Sequence, residues 1–160
     1  MKKIVSLVSA VFVVALFVIV MGGVASAAGT NTLTVNATLT GACQFTSPAS
    51  ETLSFPLDAT QSTDVNVTVN TSFWCTKGTA VTAVTTDNGQ NFSAGSKRMK
   101  STSTGDFIPY SLVLTPAGTT GLGKTSPINL QIAGTVVNAN YVNATAAADY
   151  ADTVVITITP

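Results

Sequence analysis

Gly118-Thr-Thr-Gly-Leu-Gly123-Lys124-Thr125 satisfies G-x-x-x-x-G-K-[ST], the spacing of a loop that cradles phosphates, with Lys124 on the phosphates and Thr125 on magnesium. The chemistry demands more than the letters. Such a loop must lead into a helix whose N-terminal N–H groups face the anion. Here Ser126-Pro127 and the strand-like Ile128-Asn-Leu-Gln-Ile132 follow instead, and no acidic residue closes an apolar strand in the magnesium-holding role. The segment reads as a flexible hairpin loop. Asp149 and Asp152 would suit acid/base work or calcium, but three residues apart around Tyr150 they read as the polar entrance to the last strand. Trp74 beside Cys75 could stack on a sugar; a core aromatic packed near a disulfide is the favoured reading. With no histidine in the chain, the commonest general base and metal ligand are missing. A hydroxyl nucleophile would then need lysine or an N-terminal amine as its base. No enzymatic activity, cofactor or metal is expected.

The 160 residues suit one domain, and 46% hydrophobic content is enough to bury a core. Charged residues make up 9%, seven basic against seven acidic, about a third of the usual share. No nucleic-acid partner is expected from so few, balanced charges. Lys97-Arg98-Met99-Lys100 is the only cationic cluster and reads as a solvated hairpin face. N-x-[ST] triplets at Asn36, Asn66, Asn70, Asn91 and Asn143 follow from the abundance of Asn and Thr.

Lys2 and Lys3 precede an uncharged apolar run from Ile4 to Met21, then Gly22-Gly23 and Ala25-Ser26-Ala27. That is the pattern of a secretory signal over residues 1–27, cleaved after Ala27. A retained anchor is the rival, since the run approaches bilayer-spanning length, but no charged stop-transfer flank follows. Cleavage removes two of the seven basic residues, so the mature balance is 5 minus 7, or −2. Export into an oxidising compartment favours pairing the only two cysteines, Cys43 and Cys75.

Threonine fills 27 of the 133 positions after Ala27, and β-branched residues favour a pleated surface. Leu33, Val35, Ala37 and Leu39 alternate with polar residues over Thr32–Thr40; Val65, Val67 and Val69 do the same; so do Val154, Ile156 and Ile158 near the end. Period two predicts strands with one buried face. Leu53–Leu57, Ala80–Thr86, Ile108–Leu114 and Ile128–Val137, the last broken at Gly134, are further strand candidates. Turn signals fall at Ser47-Pro48, Asp87-Asn88-Gly89, Gly105-Asp106 and Pro116 to Gly123, and only Thr145–Ala148 hints at a helical turn. An all-β, immunoglobulin-like two-sheet sandwich is predicted.

The order of several short motifs narrows this further: Gly41-Ala-Cys43, Leu53-Ser-Phe55, Phe73-Trp-Cys75-Thr-Lys-Gly78, Asp87-Asn-Gly89, Arg98-Met99, Ile108-Pro-Tyr110-Ser-Leu112, Gly134-Thr-Val-Val137 and Tyr150-Ala-Asp152-Thr-Val154. In that order, from about Thr32 to Thr159, the chain resembles the spore coat protein U family, whose members include subunits of archaic chaperone–usher pili of the Csu type. The resemblance implies an incomplete immunoglobulin-like sandwich lacking one strand, with an apolar groove open beside the C-terminal strand (Val154, Ile156, Ile158). A periplasmic chaperone fills the groove first, and an outer-membrane usher assists export to the cell surface. The N-terminal segment of an identical or related subunit, placed here at residues 28–41, then replaces the chaperone in a head-to-tail fibre; residues 42–160 form the pilin domain. Ala148-Asp149 before Tyr150, and a C-terminus without an aromatic residue, depart from the family pattern. The residues supply a suitable donor independently, since Leu33, Val35, Ala37 and Leu39 make one apolar face. The implied role is a structural pilin of an adhesive, biofilm-supporting fibre. The alternatives are a coat or matrix protein of the same family, or a secreted carbohydrate-binding module stacking sugars on Trp74, Tyr110 or Tyr141.

Overall fold

Runs of alternating β-branched and polar residues become strands wherever a second strand offers a ladder and a core offers cover. The computed structural model describes residues 29–46 and 50–160. The signal segment predicted over 1–27 and the turn predicted at Ser47-Pro48 lie outside the described residues. The chain falls into two units, Met1–Ala37 and Thr38–Pro160. In the first, residues 29–37 carry no strand.

The second unit contains β1 (Cys43–Phe45), β2 (Val65–Cys75), β3 (Ala83–Thr86), β4 (Lys97–Ser101), β5 (Phe107–Pro116), β6 (Ile128–Val136), α1 (Asn138–Tyr141), β7 (Tyr150–Ala151) and β8 (Ile156–Thr159). Six strands form one antiparallel sheet in the order β1-β2-β6-β5-β4-β7, and β3 pairs with β8 in a second, two-stranded sheet. This is an all-β, incomplete immunoglobulin-like sandwich. Phe73, Cys75, Val81, Ile128, Leu130 and Ile132 form one buried cluster, against which Val84 of β3 and Ile156 and Ile158 of β8 pack. A second cluster of Ile108, Tyr110, Val136 and Tyr141 is covered by Phe55, Leu57 and Val154.

Several expectations change in the folded chain. Leu53–Leu57 keeps its alternation, with Leu53, Phe55 and Leu57 half-buried, yet joins no ladder. Alternation reports one-sided burial, and an extended strap satisfies it as well as a strand does. That strap also explains Gly134, which does not break β6. A Cβ there would meet Leu53 Cδ2 and approach Phe55 Cζ to 2.7 Å, so the missing side chain makes room for the strap. β2 extends well past Val69 to Cys75, and Ala80–Thr86 shortens to β3 with an isolated bridge from Ala80 to Thr120. The helical turn lies at Asn138–Tyr141 rather than Thr145–Ala148, anchored by Tyr141, whose hydroxyl donates to the Thr63 carbonyl at 2.8 Å.

The cationic cluster is strand β4 inside the large sheet. Met99 packs on the second cluster, while the Arg98 guanidinium lies 4.1 Å over the Phe107 ring and donates from Nε to the Asn91 carbonyl. Trp74 is not a core residue. Phe73 and Cys75 point inward, so the pleat turns Trp74 to the opposite face, where Lys124 Nζ lies 5.9 Å from its ring.

Candidate functional site

Among the described residues four strand edges lack a partner, β1 and β7 at the two ends of the large sheet and one side each of β3 and β8; of these, β1 and β8 approach one another. In an antiparallel ladder, bonded and non-bonded pairs alternate, so every second residue aims its N–H and C=O away from its neighbour. On β1, Thr76 N–H donates to the Ala42 carbonyl and Thr46 N–H to the Ser72 carbonyl. The intervening Cys43 and Phe45 therefore direct their backbone groups outward. On β8, the bond from Asp87 N–H to the Val155 carbonyl (3.0 Å) sets the same phase. Ile156 and Ile158 then present free backbone groups. All four of these side chains point inward onto the same cluster and stay only half-buried. Backbone demand and incomplete apolar cover coincide, which is what an added strand would satisfy.

Two devices hold the edges in place. The first is the Cys43–Cys75 disulfide, which joins directly opposed residues of β1 and β2 with Cα atoms 4.0 Å apart. It fastens a three-residue strand that would otherwise depend on a few ladder bonds. The second is a polar latch at the start of β8. Asp87 Oδ1 accepts the N–H groups of Gly89 and Val155, both at 3.0 Å. Asp152 accepts the Gln90 N–H at 2.9 Å, the Asn91 amide at 3.3 Å and the Tyr110 hydroxyl at 2.7 Å. Gly89 sits at φ +73° against the Asp152 carboxylate, where a side chain has neither the conformation nor the space. Burial first, then the bond to Asp152 and its charge, push the Tyr110 phenol well above its ordinary pKa. Tyr110→Phe should cost about 1.5–3 kcal/mol, the range for a hydrogen bond to a charged group, read as a shift in urea midpoint at unchanged m.

Asp149 closes a separate turn. Its carboxylate accepts Thr102 Oγ1 and Ser101 Oγ, both at 2.7 Å, and the Ser103 N–H at 2.8 Å. Those bonds, the Thr102 hydroxyl foremost, hold its carboxyl below the usual carboxylate range. A depressed folded-state pKa stabilises the fold above the unfolded value of about 3.9 and ceases to do so as pH falls through the folded value. Melting curves of wild type and Asp149→Asn should therefore differ most above about pH 5 and converge in strong acid. A constant gap across pH would contradict this assignment.

The remaining chemical candidates resolve into structural roles. The N–H groups of Gly121 and Gly123 donate to the carbonyls of Thr79 and Cys75, and the Gly121 carbonyl accepts from Gly78. Two of the phosphate-loop donors are thus spent on the chain itself, and β6 follows the loop where a helix would be required. Asp149 and Asp152 serve different turns and do not act as a pair. Tyr110 and Tyr141 are 9% and 3% exposed, too covered for stacking on a sugar. Of the predicted groove residues, Ile156 and Ile158 lie on β8, while Val154 precedes the strand and packs on the second cluster. The predicted donor residues Leu33, Val35 and Leu39 are 84%, 81% and 84% exposed, and Ala37 is exposed too.

The Spore Coat Protein U domain matches residues 29–157, most of the chain. The chain belongs to the spore coat protein U family. No curated protein and no solved structure gives a match to it. The spore coat protein U match begins at Gly29 and so includes the exposed alternating segment along with the sandwich. The family includes pilin subunits of chaperone–usher fibres. The latch missed in sequence joins three of its motif segments, Asp87-Asn-Gly89, Tyr110 and Asp152. Asp87 and Asp152, carboxylates that directly follow β3 and β7, were the available signal.

Proposed function

We propose that the mature chain is a structural subunit of an archaic chaperone–usher surface fibre, with no catalytic role. In this reading, residues 28–41 of one copy supply the strand that β1 and β8 of the next copy lack. The observation that carries it is the approach of two of the four free edges, β1 and β8, whose outward backbone groups belong to the half-buried residues Cys43, Phe45, Ile156 and Ile158. The exposed face of Leu33, Val35 and Leu39 supports it from the other side.

A contact between one copy's tail and the next copy's body is head-to-tail and does not close, so it generates a filament. The partners are identical or related subunits, a periplasmic chaperone that covers the edges before assembly, and an outer-membrane usher. Cleavage after Ala27 and export to the cell surface complete the proposal, with adhesion and biofilm support as the fibre's roles. A coat layer of the same subunits is the second reading, favoured by the family's name alone.

The test compares mature chains with residues 28–40 present or deleted. The intact chain should form heat-labile, detergent-resistant polymers. The deleted chain should stay monomeric and gain thermal stability on adding a synthetic Asn31–Thr40 peptide. Equal polymerisation by both chains would refute the donor role of this segment.

A further inference from the structure

Asn88 is the only asparagine in the chain that is followed by glycine, and it is exposed. That pair is chemically labile. Asparagine is a thermolabile residue, and a glycine after it leaves the next backbone nitrogen unshielded for attack on the side-chain amide. The fold nevertheless requires the glycine. Residue 89 holds φ at +73°, and a Cβ there would collide with the Asp152 carboxylate, so no other residue fits behind Asn88 without strain. The same fold restrains the nitrogen. Gly89 N–H donates to Asp87 Oδ1 at 3.0 Å. The backbone on either side is tied as well, by Asp87 N–H on the Val155 carbonyl at 3.0 Å and Gln90 N–H on Asp152 Oδ1 at 2.9 Å.

We propose that Asn88 is a site of spontaneous deamidation whose rate is gated by opening of the Asp87–Asp152 latch. The Gly89 nitrogen gives up its proton and bonds to Asn88 Cγ; the Cγ–Nδ2 bond breaks, and ammonia leaves with that proton. Water then opens the succinimide at Cγ to give aspartate, or at the main-chain carbonyl of residue 88 to give isoaspartate. Attack requires the nitrogen to leave Asp87 and approach its own preceding side chain, which the ties to Val155 and Asp152 resist. The reaction therefore proceeds from the small open population, as slow chemistry does when it follows a fast local opening. Isoaspartate lengthens the main chain by one methylene between Asp87 and Gly89. Gly89 N–H then no longer falls on Asp87 Oδ1, the atom that also holds Val155 N–H just before β8. A change at one exposed side chain thus reaches a strand edge. The inference concerns the folded subunit alone and holds whether or not the chain forms fibres.

The experiment incubates the mature chain in mildly alkaline buffer, folded and guanidinium-unfolded, and follows residue 88 by peptide mass spectrometry. Conversion should be at least about tenfold slower in the folded chain, since only the open population reacts. Asp87→Ala, shown to be folded by circular dichroism, should convert several-fold faster than wild type when each is scaled to its own unfolded rate. Asp87→Asn keeps a neutral acceptor and should fall between them; with the folded-to-unfolded ratio of wild type, it decides the matter even if Asp87→Ala does not fold. Asn88→Gln should abolish conversion at this position. Equal rates in folded and unfolded wild type would overturn the gating. Slower conversion in the Asp87 variants would overturn it too, by making that carboxylate the base that activates the nitrogen. No conversion at Asn88 in either state would remove the site. The isoaspartyl form, separated by ion exchange, should unfold at lower urea than the asparaginyl form; equal midpoints would detach the modification from β8.

Discussion

A chain carrying Leu33→Asp and Val35→Asp should yield monomers where the unmodified mature chain yields polymers. Fully buried, the Leu33, Val35 and Leu39 side chains would together contribute on the order of 5–8 kcal/mol to each junction. Replacing two of them removes roughly half of that or more. It also places carboxylates against Ile156, Ile158 and Phe45, which offer no partner for a charge. A loss of only about 4 kcal/mol already weakens each junction nearly a thousandfold, and a filament multiplies that loss at every link. The informative control lies on the opposite face. Thr34→Asp and Asn36→Asp add the same charge at positions that would look outward from a filled groove, and assembly should survive. Size-exclusion chromatography and heat-labile ladders on gels read both outcomes. Equal loss from both pairs of substitutions would mean that alternation in this segment does not govern assembly.

Removing the Cys43–Cys75 bond should have the second-largest effect. The bond closes a loop across a sequence separation of 32, for which the chain-entropy model gives a contribution of about 3–4 kcal/mol. Cys75 is fully buried, so Cys43→Ala/Cys75→Ala also forfeits packing in the cluster around Phe73 and Leu130. The loss should appear as a lower urea midpoint. A local consequence is more telling. β1 is three residues long and held on one side only, so without its covalent tie it should fray before the rest of the sandwich unfolds. The variant should then bind the Asn31–Thr40 peptide more weakly under conditions where its core remains folded, measured by intrinsic fluorescence of Trp74. A destabilisation below about 1 kcal/mol together with unchanged peptide binding would show that β1 needs no staple.

With only 9% charged residues, the chain leaves much of its surface uncharged. In most soluble domains such surfaces would invite indiscriminate association. Here the most exposed large apolar residues, Leu33, Val35 and Leu39, share one alternating segment.

Much of this was legible in the residues alone. Thr and Val at alternate positions predicted strands; Leu33, Val35, Ala37 and Leu39 marked a single apolar face; and two cysteines behind a predicted export signal marked a staple. Each of these depends on local periodicity or on compartment, which a sequence carries directly. Family order likewise placed Asp87-Asn-Gly89 and Asp152 on the map without saying that they meet. Only the tertiary structure decided the rest, because it depends on which segments face each other across the sandwich. Leu53–Leu57 has the alternation of a strand and became a strap, lying over β6 at Gly134 rather than joining a ladder. Gly134 looked like a break and proved to be the space that the strap fills. Trp74 sits beside a buried cysteine and faces the other way, as period two requires once Cys75 is fixed inward. The phase of hydrogen bonding along β1 and β8, which leaves Phe45, Ile156 and Ile158 unpaired, is set by register across strands distant in sequence, and no local pattern encodes it.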